Sequence, residues 1–199
     1  MSGTREGSFR RKTRETDLRT TLGLDRFEFP EVSVQLPFLG HMLEALAVHA
    51  GVFLGVRGTG DLSVDPHHLI EDCGICLGRA LCMALEAGGP VARIGWSIVP
   101  MDGSLATTAL DLCGRPNLVW KAEPGLEALP DGTSPSLYRH FFKGFVDGSG
   151  STLHVILEYS DDGHHAIECI FKSFGRSLGQ SVTLRDEAVT ASSKGVLDG

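Results

Sequence analysis

The chain has 199 residues, of which 42% are apolar and 22% charged, and carries a net charge of −7. That length and composition suit one good domain or two small fused ones, with enough core to need no covalent staple. The acidic balance argues against nucleic acid as the main partner, and no run approaches the roughly 18 apolar residues of a membrane span.

The N-terminal "MSGTREGSFRRKTRET" is basic and polar and lacks the apolar stretch of a secretory signal. "SFRRKTRETDLRTTLGLD" alternates basic and polar residues with Leu18, Leu22 and Leu24, which predicts an edge strand. Residues 37–49, "PFLGHMLEALAVH", predict a helix opened by Pro37 and closed at Ala50-Gly51. "VFLGVRG" predicts a strand, and "GTGDLSV" a turn entering another. A long helix from Pro66 to Leu85 ends at "GGP". "RIGWSIVPMDGSLATTALDLCGRPNLVWKAE" reads as strands broken at Pro100 and at Gly114 to Pro116, and "EPGLEALPDGTSP" reads as a loop. Then the order returns: a helix over "SLYRHFFKGFVDGSG", a strand over "STLHVILEY", a turn at "SDDG" and a helix over "HHAIECIFKSFGRSLGQSV". The tail "ASSKGVLDG" has no period and reads as exposed, or as ordered only by a ligand.

The two long helices superpose at an offset of 97. His67 falls on His164, His68 on His165, Ile70 on Ile167 and Glu71 on Glu168, with Gly78, Arg79 and Leu81 on Gly175, Arg176 and Leu178. This is the mark of an internal duplication. The expected fold is α+β. Two duplicated half-domains, 1–92 and 93–199, each have a mixed or antiparallel sheet with helices on one face and join face to face into one unit. Five cysteines sit in apolar runs. Cys73 and Cys76 form a CxxC inside the long helix with no second pair, so they read as small buried hydrophobes of a reducing compartment.

The repeat carries chemistry. Positions three and four apart share a helix face, so Glu71 lies with both His67 and His68. Adjacent histidines point about 100° apart and suit two different ions better than one. The candidate metal ligands are His41, His67, His68, Glu71, His154, His164, His165 and Glu168, four for each of two ions. Nitrogen and carboxylate donors without thiolate suit Mn, Fe, Ni or Zn. His49 and His140 read as helix-surface or interface histidines, His49 with an even claim to substrate. Arg93, Arg115, Lys172 and the tail residues Ser192, Ser193 and Lys194 suit a phosphate.

Together these residues resemble the imidazoleglycerol-phosphate dehydratase family of histidine biosynthesis. "FLGHML", "HHLIEDCGICLG", "PMDGSL", "DLCGRP", "TLHV", "HHAIECIFKSF" and "SSKG" occur in that family's order and spacing. The resemblance implies that the eight ligands hold two manganese ions. It also implies that Glu15, His41, His49, Arg93, Arg115, Lys172, Ser192, Ser193 and Lys194 contact a small phosphate ester. It implies a cytoplasmic homo-oligomer, a shell of twenty-four subunits with active sites between them. The implied reaction turns imidazole-glycerol phosphate into imidazole-acetol phosphate through an imidazolate and a diazafulvene. Glu15 is the expected base for the C–H proton, with Asp102 second.

The chain departs from the family at Gly40, where Asp is usual, and at Gly103, where Glu is usual. It also departs at Pro66 and at Ser160-Asp161-Asp162. The glycines motivate an alternative: a metal-binding homologue that assembles without efficient turnover. A third reading, a generic dinuclear hydrolase, predicts phosphate-ester hydrolysis instead.

Overall fold

A computed structural model describes residues 4–123 and 129–185. The first half holds strands β1 (Glu6–Lys12), β2 (Thr16–Gly23), β3 (Glu31–Val34) and β4 (Phe53–Gly60), with helices α1 (Pro37–Ala50) and α2 (His67–Glu86). The second holds β5 (Ile94–Met101), β6 (Ser104–Asp111), β7 (Asn117–Lys121) and β8 (Thr152–Tyr159), with α3 (Tyr138–Ser149) and α4 (Gly163–Ser181). The sheets run β1-β2-β4-β3 and β5-β6-β8-β7. In each, two antiparallel pairings are followed by one parallel pairing at the far edge. The duplication is thus visible in the topology, and the α+β expectation holds.

Alternation fixes which face is inside. Leu18, Thr20 and Leu22 of β2 are buried under α2, whereas Arg19 between them is exposed. In β8, Leu153 and Val155 are buried and His154 faces out. The helices of the two halves meet crosswise, α1 on α4 and α2 on α3. Both pairs run parallel and very close. A methyl on Gly74 would stand 2.0 Å from the Phe141 carbonyl oxygen, and one on Gly78 2.4 Å from that of Phe145. Reciprocally, Gly144 and Gly148 leave room for the Glu71 and Ile75 carbonyls. Only hydrogen fits at these crossings. The centre is aromatic: Tyr138, Phe141, Phe142 and Phe145 of α3 are fully buried with Phe171 and Phe174 of α4.

Several local expectations fail. The basic N-terminal segment is a hairpin, not one strand, because Thr13 Oγ1 accepts from the backbone N–H of Glu15 and Thr16 and turns the chain without glycine. No strand follows "GTGDL"; Val64 closes a turn onto Asp61 instead. Pro100 lies within β5, which is tolerated because β5 is an edge strand, and the turn comes at Asp102-Gly103. The cysteines are unpaired; burial pushes the Cys76 thiol up to about 12, as expected of an inert core residue. Among the described residues no helix is long and apolar enough to cross a membrane.

Candidate active site

Parallel pairing brings the N-terminal turns of partner helices together, and the histidines lie there. On the α1–α4 pair, His41, His164 and Glu168 converge. Glu168 Oε2 is 3.1 Å from His164 Nε2 and 3.4 Å from His41 Nε2. Its other oxygen accepts from Lys172 Nζ at 2.9 Å, one turn along α4. Burial opposes charge on Glu168, but the bond and charge of Lys172, with His41 and His164, hold its carboxyl below the usual range.

On the α2–α3 pair the same figure recurs with His67, Glu71 and His140. The imidazoles of His67 and His140 stack at 4.0 Å between centroids, and His67 Nε2 lies 3.7 Å from Glu71 Oε2. Burial and the neighbouring His67 hold His140 neutral to lower pH than usual. In each triad one donor atom per residue lies within 4.8 Å of the others.

The second histidine of each pair turns elsewhere. His68 Nδ1 is 3.5 Å from Asp61 Oδ1 and 3.6 Å from Glu15 Oε2. His165 Nε2 is 3.5 Å from Asp102 Oδ2, while its Nδ1 faces Asp162 Oδ2 at 2.5 Å and Asp161 Oδ1 at 3.7 Å. Glu15 and Asp102 are therefore equivalents: each is carried by the first hairpin of its half and meets that half's second histidine.

This changes one expected assignment. His154 stands outward on β8, opposite Ala109 and Val119, and among the described residues joins neither triad. His140, read from sequence as a helix-surface or interface histidine, occupies the position equivalent to His41. Two pairs of landmarks carry that signal: His41 precedes Gly51 by ten residues, and His140 precedes Gly150 by ten.

The anion candidates divide. Lys172 is at the α1–α4 triad. His49 is half-buried near Lys172 and Arg176, and lines a shallow recess of about 250 Å³ with Arg176 and Gln180. Burial, then those two cations, push its imidazole pKa down. Arg93, at φ 72°, grips Asp111 in two bonds of 2.6 and 3.0 Å. Arg93 and the exposed Arg115 lie at the end of the second sheet opposite Asp102. Strand geometry of ~3.3 Å per residue separates Arg93 from Asp102 by about 30 Å. One chain does not bring these arginines to its own triads. Ser192, Ser193 and Lys194 lie outside the described residues.

The departures also have a geometry. A Cβ at Gly40 would make only ordinary contacts with Val34 and Val32, so nothing here requires glycine. A Cβ at Gly103 would stand 2.3 Å from Asp161 Oδ2. The Asp161 carboxylate thus uses the space that a side chain at 103 would need.

A duplicated α+β frame with twin histidine–carboxylate triads defines an enzyme scaffold in which the two halves together build two equivalent sites, one across each helix pair. The family model for imidazoleglycerol-phosphate dehydratase matches residues 34–178, and the chain belongs to that family, hydro-lyases of histidine biosynthesis. It is 39% identical over 202 residues to the imidazoleglycerol-phosphate dehydratase of Methanopyrus kandleri, covering 99% of this chain and 98% of that one. It is 42% identical to that of Methanosphaerula palustris, covering 97% and 100%. Among solved structures, the enzyme from Staphylococcus aureus superposes with a TM-score of 0.81 at 30% identity, covering 90% of this chain and 99% of that one. That from Pyrococcus furiosus gives 0.82 at 31%, covering 95% and 100%.

Proposed function

We propose that this chain is a dimetal-dependent dehydratase that converts imidazole-glycerol phosphate to imidazole-acetol phosphate in the cytoplasm. The observation that carries the reading is the pair of equivalent triads, His41–His164–Glu168 and His67–Glu71–His140. Each offers two imidazole nitrogens and one carboxylate, a donor set that fits a divalent ion such as Mn²⁺ and leaves positions open. His68 and His165 diverge from their own chain's triads, so each is free in direction to complete a triad on a neighbouring copy. With the distant Arg93 and Arg115, this supports active sites built between subunits of a homo-oligomer, with twenty-four subunits as the family resemblance suggests.

Ions held by His41, His164 and Glu168 and by His67, Glu71 and His140 would supply Lewis acidity to the imidazole ring of the substrate. The chain's own groups do the rest. Lys172 and the arginines hold the phosphate. The ring, having given up its N–H proton, expels the hydroxyl from the adjacent carbon as hydroxide, giving a diazafulvene, and that proton and the hydroxide leave together as water; the proton taken from the next carbon then returns to the ring. Glu15, on the first hairpin beside His68, takes the proton from the next carbon; Asp102 holds the equivalent place on the second hairpin. The resulting enol becomes the ketone.

Turnover of imidazole-glycerol phosphate by chelated protein, before and after two equivalents of Mn²⁺ per chain, tests this. Restored formation of the ketone is expected. Metal uptake without product favours the weakened homologue, and release of inorganic phosphate favours the hydrolase. Asp161, seated where Gly103 has no side chain, returns a carboxylate to this turn and counts against the weakened homologue.

A further inference from the structure

We propose that Asp72 is a positioning residue for Glu15, acting through the hydroxyl of Thr16. The inference rests on Glu15 being the base.

Glu15 is half-exposed, with 52% of its side chain open to solvent, so packing does not aim it. Its place is set by the turn that carries it, Thr13 to Glu15 between β1 and β2. That turn is wired to the helix beneath. Asp72 follows Glu71 on α2 and is buried, its side chain 8% exposed. One of its oxygens accepts from Arg11 Nε at 2.7 Å, the other from Thr16 Oγ1 at 2.5 Å. Thr16 Oγ1 lies 3.1 Å from Thr13 Oγ1, which accepts from the N–H of Glu15 and of Thr16, both at 3.0 Å. The far side is held by Asp61 N–H donating to the Glu15 carbonyl at 3.0 Å. The chain of bonds runs without a gap from a buried carboxylate to the backbone of Glu15.

A carboxylate withdrawn from water carries a desolvation cost that its bonds must offset, so its presence asks for a reason. Holding the sheet to the helix is the plain reason, and the second half tests it. The residue equivalent to Asp72 at offset 97 is Cys169, whose thiol donates to the Val99 carbonyl. The same strand–helix contact is made there without any buried charge. What differs is the turn. The second hairpin closes with two residues, Asp102 and Gly103, whereas the first has three and carries Glu15. The extra residue gives freedom, and Asp72 removes it.

The test compares Thr16→Val, which keeps shape and loses the donor, with Thr16→Ser, which keeps it. Displacing a reacting group by an ångström can cost about 10²-fold, so Thr16→Val should lower kcat by about 10–100-fold with KM within about two-fold. Thr16→Ser should recover kcat to within a few-fold. Thr13→Val, on the exposed turn, breaks the same chain should the buried substitution compromise folding, and should reproduce the loss. Mn²⁺ content should match the parent throughout. In a Glu15→Gln background Thr16→Val should add nothing, because its effect passes through Glu15. A kcat near the parent in Thr16→Val and Thr13→Val, a loss carried by KM or metal content, or a full further loss in the Glu15→Gln background would each overturn the inference. Should Glu15→Gln itself keep kcat, the base assignment falls instead, and that outcome is read separately.

Discussion

The α2–α3 crossing gives a sharp test of how packing serves the site, through Gly74→Ala. The new methyl would lie 2.0 Å from the Phe141 carbonyl oxygen, and real contacts of this kind do not fall under 3.0 Å. The obstacle is backbone, so no rotamer change relieves it, and the helices must part by about 1 Å. Alanine gains about 1 kcal/mol of helix propensity over glycine. Overpacking costs about 1–3 kcal/mol, and a rigid carbonyl puts this site at the upper end. The balance is a loss of about 2 kcal/mol, which for a chain of this size lowers Tm by about 4–8 °C. His140 rides on the displaced α3, so its approach to His67 and Glu71 loosens and Mn²⁺ affinity should fall by about tenfold or more. Gly89→Ala is the control: no atom lies within 4 Å of its new Cβ, and its effect should stay within about 0.5 kcal/mol. Thermal melts and metal titrations of both variants decide the matter. A Gly74→Ala protein as stable as the parent would refute the close crossing, and with it the geometric basis of the His67–Glu71–His140 triad.

Other outcomes follow from the site. His68→Ala and His165→Ala should each lower Mn²⁺ content sharply by elemental analysis; full content in both would remove these histidines from the ligand set. Chelation should shrink the particle seen by light scattering, since ions bridging copies would hold them together, and the shrinkage should be steeper at low pH, where imidazoles protonate; a large particle with its metal removed would break the link. Glu168 is held below its usual carboxyl range, so in metal-free protein it adds stability above its ordinary value of 4.5 that disappears as pH falls through its folded value. Lys172→Met removes the main stabilising cation, raises that value and should move acid unfolding to higher pH; an unmoved acid limb would show that Lys172 does not govern this carboxylate. Gly103→Ala should cost activity by displacing Asp161 but add no further loss once Asp161 is Ala, a cycle that fails if the glycine serves the backbone alone.

Signals that depend on local chemistry were legible in the sequence. Pro37 and Gly51 bound α1 as the capping rules require, with Gly51 left-handed at φ 69°. The His-His-x-x-Glu pair located both long helices and the duplication. The misassignment of His154 has a physical origin in the same repeat. Helices α2 and α4 match at offset 97, but α1 and α3 match at 99, because His67 follows the end of β4 by seven residues while His164 follows the end of β8 by five. At offset 97 His41 falls on Tyr138, and the equivalence with His140 disappears. Period-two alternation in "TLHVILEY" did hold the correction, for Leu153 and Val155 claim the inner face and leave His154 outside. The N-terminal hairpin was hidden for another reason. Its turn is made by a threonine hydroxyl and a buried aspartate 56 residues beyond Thr16, not by glycine or proline, so no nearby residue announces it.

The duplication gives two halves of like topology, and the proposed dehydration needs them to serve one chemistry instead of two. Each half keeps a His-His-x-x-Glu helix, a histidine that completes the triad on the other half's helix, and a carboxylate on the first hairpin, so the candidate ligand geometry is symmetric. The carboxylates are not. Glu15 sits on a three-residue turn tied to buried Asp72, while Asp102 is left-handed at φ 46° on a two-residue turn beside Asp161. A symmetric pair of ions suits an imidazole ring, whose two nitrogens are alike. The carbon chain beyond the ring is not alike at its two ends, and a proton must leave from one defined carbon. In the proposed dehydration, breaking the symmetry at the hairpins while keeping it at the helices would meet both demands, and would give Glu15 and Asp102 different roles where the repeat alone would treat them as equals.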